Sequence, residues 1–176
     1  NNSEGKSTEE IVKDIMISVR ETCMKRNSKD NKKFKRSAEE ILEDGYRNGC
    51  CDSSTLFVTL CRACGIPAAQ IVTVHLNSVL NNDFGRGHFY SAFFNKESNS
   101  WFFVNSDVDQ TREFKFRPRK FDESLKTLDQ DYYIFGIFRD YSEFDIDGLK
   151  IDSTRSMNQI HKMVYENLLK NGFLDD

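Results

Sequence analysis

Few residues in this chain are equipped for covalent chemistry. There are five cysteines, Cys23, Cys50, Cys51, Cys61 and Cys64, and three histidines, His75, His88 and His161. A cysteine attacks a carbonyl as the thiolate, so a reactive one needs its pKa lowered by the positive end of a helix or by a neighbouring imidazolium. Cys50 follows Gly49 and opens the longest apolar-rich segment, which places it at a helix N-terminus. The first turn of a helix also leaves backbone N–H groups without intrahelical acceptors, and these can hold an oxyanion. The base must come from elsewhere in the chain. His161 falls among polar neighbours in an amphipathic C-terminal segment and reads as a surface residue. His75 lies inside an apolar strand and reads as structural. His88 starts a strand directly after Gly85-Arg86-Gly87, where the glycines let substrate or another backbone approach closely. Position therefore makes His88 the candidate base. A third group must fix its tautomer. Asn105, Asp107 and Asp109 all stand at the end of the partner strand of a hairpin, and that end returns beside the start of the first strand.

The elements that must position these groups follow from patterning. Ser7-Thr8-Glu9-Glu10 is a capping box, and Ile11, Ile15, Val19 and Met24 continue it at near-helical spacing, predicting a helix from Thr8 to Lys25. Ser37-Ala38-Glu39-Glu40 is a second box, opening a short helix that ends at Gly45. The segment from Cys50 to Cys64 predicts a long helix with Leu56, Phe57, Leu60 and Ala63 as its buried stripe, Gly65 as C-cap and Pro67 barring continuation. The texture then changes. Gln70 to Leu76 is rich in β-branched residues and reads as a strand. The runs from His88 to Asn95 and from Trp101 to Asn105 form a hairpin. Further strands are expected at Glu113 to Arg117 and at Tyr132 to Phe138. A final amphipathic helix from Ser153 to Lys170 uses Met157, Ile160, Val164 and Leu168. Helices first and strands after predict a single α+β domain over residues 1–176, with the helices packed on a mostly antiparallel sheet.

Composition limits the function classes. A chain of 176 residues can bury a core without a metal or disulfide framework. Net charge is -3, which exerts no general pull on nucleic acid, so no nucleic-acid partner is expected. The basic clusters from Lys25 to Arg36 and from Arg117 to Lys120 read as solvated loops. Mean hydropathy is -0.62, and no apolar run approaches the roughly 18 residues of a membrane span. The polar start, Asn1 to Thr8, with residues 1–7 as a flexible lead-in, suits a soluble domain, and removal of an export signal or lipid anchor would leave such a start. An odd number of clustered cysteines is not a disulfide scaffold. Cys61-x-x-Cys64 lacks a second ligand pair, so the two read as small apolar residues on a helix face. Glu143, Asp145, Asp147 and Gly148 follow the start of a calcium loop, but Thr154 stands where the bidentate glutamate belongs, so the stretch reads as a polar turn. Asp107-Val108-Asp109 is a weak metal signal. No phosphate-loop, dinucleotide or zincin motif is present, and no cofactor or metal is expected.

The residues around Cys50 carry a resemblance. Gly49-Cys50-Cys51-Asp52, followed by Leu56-Phe57 and by Arg62-Ala63-Cys64-Gly65-Ile66-Pro67, closely resembles the transglutaminase-like core: a glycine, a cysteine, an acid two residues on, and an Arg-Ala-x-Gly-Ile-Pro block. His88-Phe89-Tyr90 matches the histidine block, and Trp101 with Asn105 matches a tryptophan followed four residues later by an aspartate. The match covers Ser37 to Asp109, and Tyr132-Tyr133 with Asp145-Ile146-Asp147-Gly148 looks similar to a microbial branch of the superfamily. The resemblance implies a papain-like fold and a Cys50, His88, Asn105 triad. It also implies acyl transfer on amide bonds of peptides or proteins through a thioester, resolved by water or by an amine acceptor, with hydrolysis favoured. It places the nucleophile on Cys50, with adjacent Cys51 as the substitute. The departure is Asn105, since the usual residue is Asp. Papain-like enzymes use Asn in this role, but an amide supports an imidazolium less than a carboxylate does. Asp107 is the substitute if the strand end is shifted, and Tyr46 is a candidate extra oxyanion donor or a cover for the helix start. The rival reading is a catalytically degenerate interaction domain that keeps the fold.

Overall fold

Both predicted capping boxes form. The computed structural model describes residues 5–22, 25–26, 36–75, 87–107, 114–120, 127–128, 132–138, 145–146, 149–150 and 166. The Ser7 Oγ accepts from the Glu10 N–H at 3.3 Å while Glu10 Oε2 accepts from the Ser7 N–H at 2.8 Å, starting helix α1 (Thr8–Thr22). The predicted extension of this helix to Lys25 does not occur. Lys25–Arg26 form a two-residue strand, β1, paired in parallel with β2 (Tyr46–Arg47), so tertiary pairing overrides the helical pattern there. Ser37 caps α2 (Ala38–Asp44) by the same reciprocal device, and Gly45 at φ 64° ends it in the left-handed conformation that favours glycine.

Helix α3 (Cys50–Ala63) is the central element. Its C-terminus closes as a Schellman motif: Ile66 N–H reaches Cys61 O at 2.9 Å, Gly65 N–H reaches Arg62 O at 2.9 Å, and Gly65 takes φ 73°. Arg62 then ties the helix end to the next strand, its Nε and Nη2 donating to Ala68 O at 3.1 and 2.7 Å. The predicted stripe is corrected at one end. Leu56 and Phe57 are fully buried and Leu60 partly, but Ala63 is exposed, and Cys61 fills the core position instead. The Cys-x-x-Cys pair therefore lies at the helix end, with Cys61 buried and Cys64 exposed, and the two do not share a packed face.

The strands β3 (Ala68–His75), β4 (Gly87–Asn95), β5 (Ser100–Val104), β6 (Arg119–Lys120), β7 (Thr127–Leu128) and β8 (Tyr132–Phe138) form one sheet. The order is β6-β5-β4-β3-β8-β7, and every neighbouring pair is antiparallel. A small antiparallel pair, β9 (Asp145–Ile146) with β10 (Leu149–Lys150), lies on the calcium-like stretch, of which Glu143, Asp147 and Gly148 are outside the described residues. The strand expected at Glu113 to Arg117 does not form. Its alternating Phe114 and Phe116 pack on the core as half-buried side chains, while the ladder to Phe102 and Phe103 is made by Lys120 and Arg119. Alternation there reports packing and not hydrogen bonding. The predicted C-terminal helix, with His161, lies outside the described residues apart from Glu166, which is helical.

The main core lies between the helices and one face of the sheet. Val12, Ile15, Met16 and Val19 of α1, Ile41 of α2, and Leu56, Phe57, Val58 and Cys61 of α3 meet Phe93 and Val104. The opposite face gathers Ile71, Tyr90, Ala92 and Phe103, with Tyr132 and Ile134 of the neighbouring strand β8 packed against them. The chain is thus an α+β fold, with α1 to α3 preceding a mostly antiparallel sheet.

Candidate active site

One face of α3 carries both the core anchor and the candidate nucleophile Cys50. Residues 50, 54, 57 and 61 recur at helical spacing, so Cys61 and Phe57 sink into the core while Ser54 and Cys50 continue the same line toward the N-terminus. Ser54 fixes this end to the sheet. Its hydroxyl lies 3.2 Å from Tyr90 O and 3.0 Å from Ser91 Oγ, which in turn lies 2.9 Å from Ser106 Oγ. All three serines are buried. They form a polar seam joining the helix start, the His88 strand and the segment after β5, so the three candidate groups ride on one hydrogen-bonded frame. Apolar periodicity does not report this seam. Its signal was the polar run Asp52-Ser53-Ser54-Thr55 inside an otherwise apolar helix.

Register explains how His88 and Asn105 meet. The β4–β5 ladder ends at Ser91↔Val104. Asn105 is the next residue, on the same face as Phe103, and His88 shares a face with Tyr90 and Ala92 by the period of two. The two are diagonal neighbours across the end of the ladder, a distance that a ring and an amide can span. His88 Nε2 is 2.9 Å from Asn105 Oδ1. The same Oδ1 accepts the Asp107 N–H at 3.0 Å, which identifies that atom as the oxygen. An oxygen acceptor requires His88 Nε2 to carry the proton, so in the neutral ring Nδ1 holds the free lone pair. The backbone under the ring is fixed too, since Thr73 Oγ1 donates to His88 O at 3.0 Å. Tyr90 and Tyr132 place their rings 4.8 and 6.0 Å from that of His88.

The sulfur of Cys50 meets this imidazole. Burial pushes the Cys50 thiol up, but hydrogen bonding to His88, the charge of His88 and the backbone N–H groups of Phe89 and Cys50 outweigh it, leaving the pKa lowered. Cys61, on the same helix face, has the opposite balance: burial pushes its thiol up. The two cysteines differ in their surroundings: His88 and two backbone N–H groups outweigh burial at Cys50, whereas the charge of Arg62 does not outweigh it at Cys61.

The remaining candidates occupy other positions. Cys51 is buried, and its S–H lies 3.8 Å from Asp52 Oδ1. The Asp107 carboxylate pairs with Arg47 and lies 3.4 Å from Ser53 Oγ, so it supports Asn105 through its backbone N–H and not by facing His88. Tyr46 lies under Arg36, whose guanidinium carbon is 4.4 Å from the ring centroid, and its carbonyl accepts from Arg36 at 3.0 Å. His75 packs edge-on to Tyr132 at 5.2 Å. Asp109 and Cys23 lie outside the described residues. Arg36 belongs to the basic cluster for which the sequence predicts a solvated loop, and the structure differs. Arg36 is 6% exposed, and it pairs with buried Asp52 and with Asp44 at 3.0 Å. Burial opposes its charge, but Asp52 and Asp44 more than offset this and leave the guanidinium pKa raised.

Among the described residues, no group of three or more His, Cys, Asp or Glu side chains is placed to hold a metal ion. No described helix is long and apolar enough to cross a membrane. A cleft of about 160 Å³ is lined by Asn105 and Tyr90 together with Lys115, Arg117 and Arg119.

A family model, that of the transglutaminase-like superfamily, matches residues 2–106, more than half of the chain. Comparison with curated proteins and with solved structures returns no match. The chain belongs to the transglutaminase-like superfamily, a family of papain-like cysteine enzymes in general, and its α+β architecture is consistent with that core.

Proposed function

We propose that this protein is a cysteine-dependent acyl-transfer enzyme acting on amide bonds of peptides or proteins, with Cys50 as nucleophile, His88 as proton carrier and Asn105 as the residue that orients His88. The observation that carries this reading is the position of one imidazole, within reach of the Cys50 sulfur on one side and bonded to Asn105 Oδ1 at 2.9 Å on the other. Asn105 accepts from Nε2, so Nδ1 is the nitrogen left to exchange a proton with the thiol.

The steps follow from these roles. The Cys50 thiolate attacks the amide carbonyl carbon, forming a C–S bond and moving the carbonyl π electrons onto oxygen. The N–H groups of the first turn of α3, which have no intrahelical acceptors, are the donors available to that oxyanion. Collapse re-forms the carbonyl and breaks the C–N bond, and the departing amine takes the proton from His88 Nδ1. Water or a primary amine then attacks the thioester, giving its proton to His88 and returning the sulfur. We favour water as the acceptor, which makes the enzyme a hydrolase. A lysine-like amine would make it a transamidase.

The test is capture of the intermediate. Incubation with a peptide library, acid quench and tandem mass spectrometry is expected to show a mass increase that fragmentation places on Cys50 and that hydroxylamine removes. Adding a primary amine during turnover then separates the two acceptors, because transfer yields an amide product and hydrolysis a free acid. An adduct that maps to Cys51, or to a cysteine outside α3, would overturn the assignment.

A further inference from the structure

The first turn of α3 contains an electrostatic conflict. A helix N-terminus favours a thiolate because its free N–H groups carry partial positive charge. Asp52, two residues after Cys50, places a full negative charge in the same turn and is itself buried. Left alone, that buried carboxylate would make the potential at the helix start less favourable to a thiolate, in a turn where little water screens it.

Arg36 resolves the conflict. It comes from just before α2, is itself buried, and its Nη2 pairs with Asp52 Oδ2. The same carboxylate oxygen accepts the Asn48 N–H at 2.7 Å, so the turn that leads into Cys50 is bound to the ion pair. Arg36 is held from the other side by Asp44 and by the carbonyl and ring of Tyr46. The second acid near the site is matched in the same way, with Asp107 paired to Arg47. Among the described residues, His88 on β4 faces the Cys50 sulfur, and the charged and titratable groups bonded to or stacked on His88 and the two pairs are Cys51 on α3, Asp44 of α2, and the phenols Tyr46, Tyr90 and Tyr132. Each of the two acids closest in sequence to the candidate residues has its own arginine.

We infer that Arg36 and Asp52 form a buried charge-balancing pair that sets the potential at the start of α3, so that the helix end and His88 govern the ionisation of Cys50. They are positioning residues that touch no substrate. The inference rests on the assignment of Cys50 as the nucleophile. It adds a requirement that a structural ion pair would not impose: the two members have effects of opposite sign on the thiol.

The experiment measures the pH dependence of Cys50 alkylation by iodoacetamide, site by site, by peptide mass spectrometry on the full chain. Asp52→Asn keeps an oxygen for the Asn48 N–H but leaves Arg36 without its buried partner, and the midpoint is expected to fall. Arg36→Met leaves the carboxylate uncompensated, and the midpoint is expected to rise by roughly one pH unit, about tenfold in rate below the midpoint. The double variant R36M/D52N removes both charges and is expected to return to the wild-type midpoint. It also keeps the test usable if R36M folds poorly, since a neutral pair avoids a lone buried charge. A shift of the same sign in D52N and R36M, or a double variant as displaced as either single one, would overturn the inference while leaving Cys50 as nucleophile. A wild-type Cys50 that reacts no faster than exposed Cys64 would instead remove the reading on which it rests.

Discussion

Replacing His88 by alanine is expected to lower the alkylation rate of Cys50 near pH 6 by about 100-fold or more. An ordinary thiol is less than about one per cent thiolate at that pH, whereas a thiol paired with an imidazolium is largely ionised. The Cys50 pKa is lowered on balance, and His88 provides the largest contributions in that direction, through a hydrogen bond and through its charge. In the wild type the rate holds as pH decreases until it passes below the lowered folded-state pKa. In H88A the decline begins near the ordinary thiol range. Asn105→Ala is expected to act in the same direction but less strongly, because the ring stays in place and loses only the acceptor that fixes its tautomer. The measurement is pseudo-first-order labelling of Cys50 against pH, with Cys64, exposed at the end of α3, as the internal reference. An H88A profile that overlays the wild type would mean the imidazole does not reach the sulfur.

Phe57→Ala is expected to destabilise the fold by about 3 to 5 kcal/mol, the range for removing a large aromatic from a closed core. Phe57 has no exposed surface and lies two helical turns beyond Cys50 on the same face. Its ring seats α3 against the α1 side chains and the sheet, so it also fixes the axial position of the helix start. The loss should appear as a lower urea midpoint with an unchanged slope, and Cys50 should lose part of its reactivity in the folded variant. A cost under about 1 kcal/mol would show that neighbouring side chains collapse into the space and that the helix is seated by other contacts.

Much of this was legible in the sequence because short-range chemistry fixes it. The two serine–glutamate boxes define their helix starts within one turn, and Gly65-Ile66-Pro67 defines the end of α3. The β-branched run near Gln70 and the hairpin around Lys96 to Ser100 fall where expected. Hairpin register brings Asn105, Asp107 and Asp109 within reach of His88, the family resemblance selects Asn105 among them, and that contact is the one present. What was not legible depended on distant partners. Lys25 leaves the helical pattern because β2 pairs with it, and nothing local to Lys25 reports that. The alternating Phe114 and Phe116 mimic a strand because packing against a core imposes the same period as a ladder. Arg36 looked solvated among its lysines, since its burial is decided by Asp52, sixteen residues on. The serine seam stayed hidden because each serine is unremarkable in its own segment and is informative only when three segments come together.

The central claim is that the Cys50 sulfur is held as a reactive thiolate by His88. Its most direct measurement is the rate and location of iodoacetamide labelling of the native protein at pH 6. The account predicts selective modification of Cys50, well ahead of Cys64 and with Cys51 unmodified. Labelling of Cys50 at the rate of exposed Cys64, or selective labelling of Cys51 in its place, would contradict it.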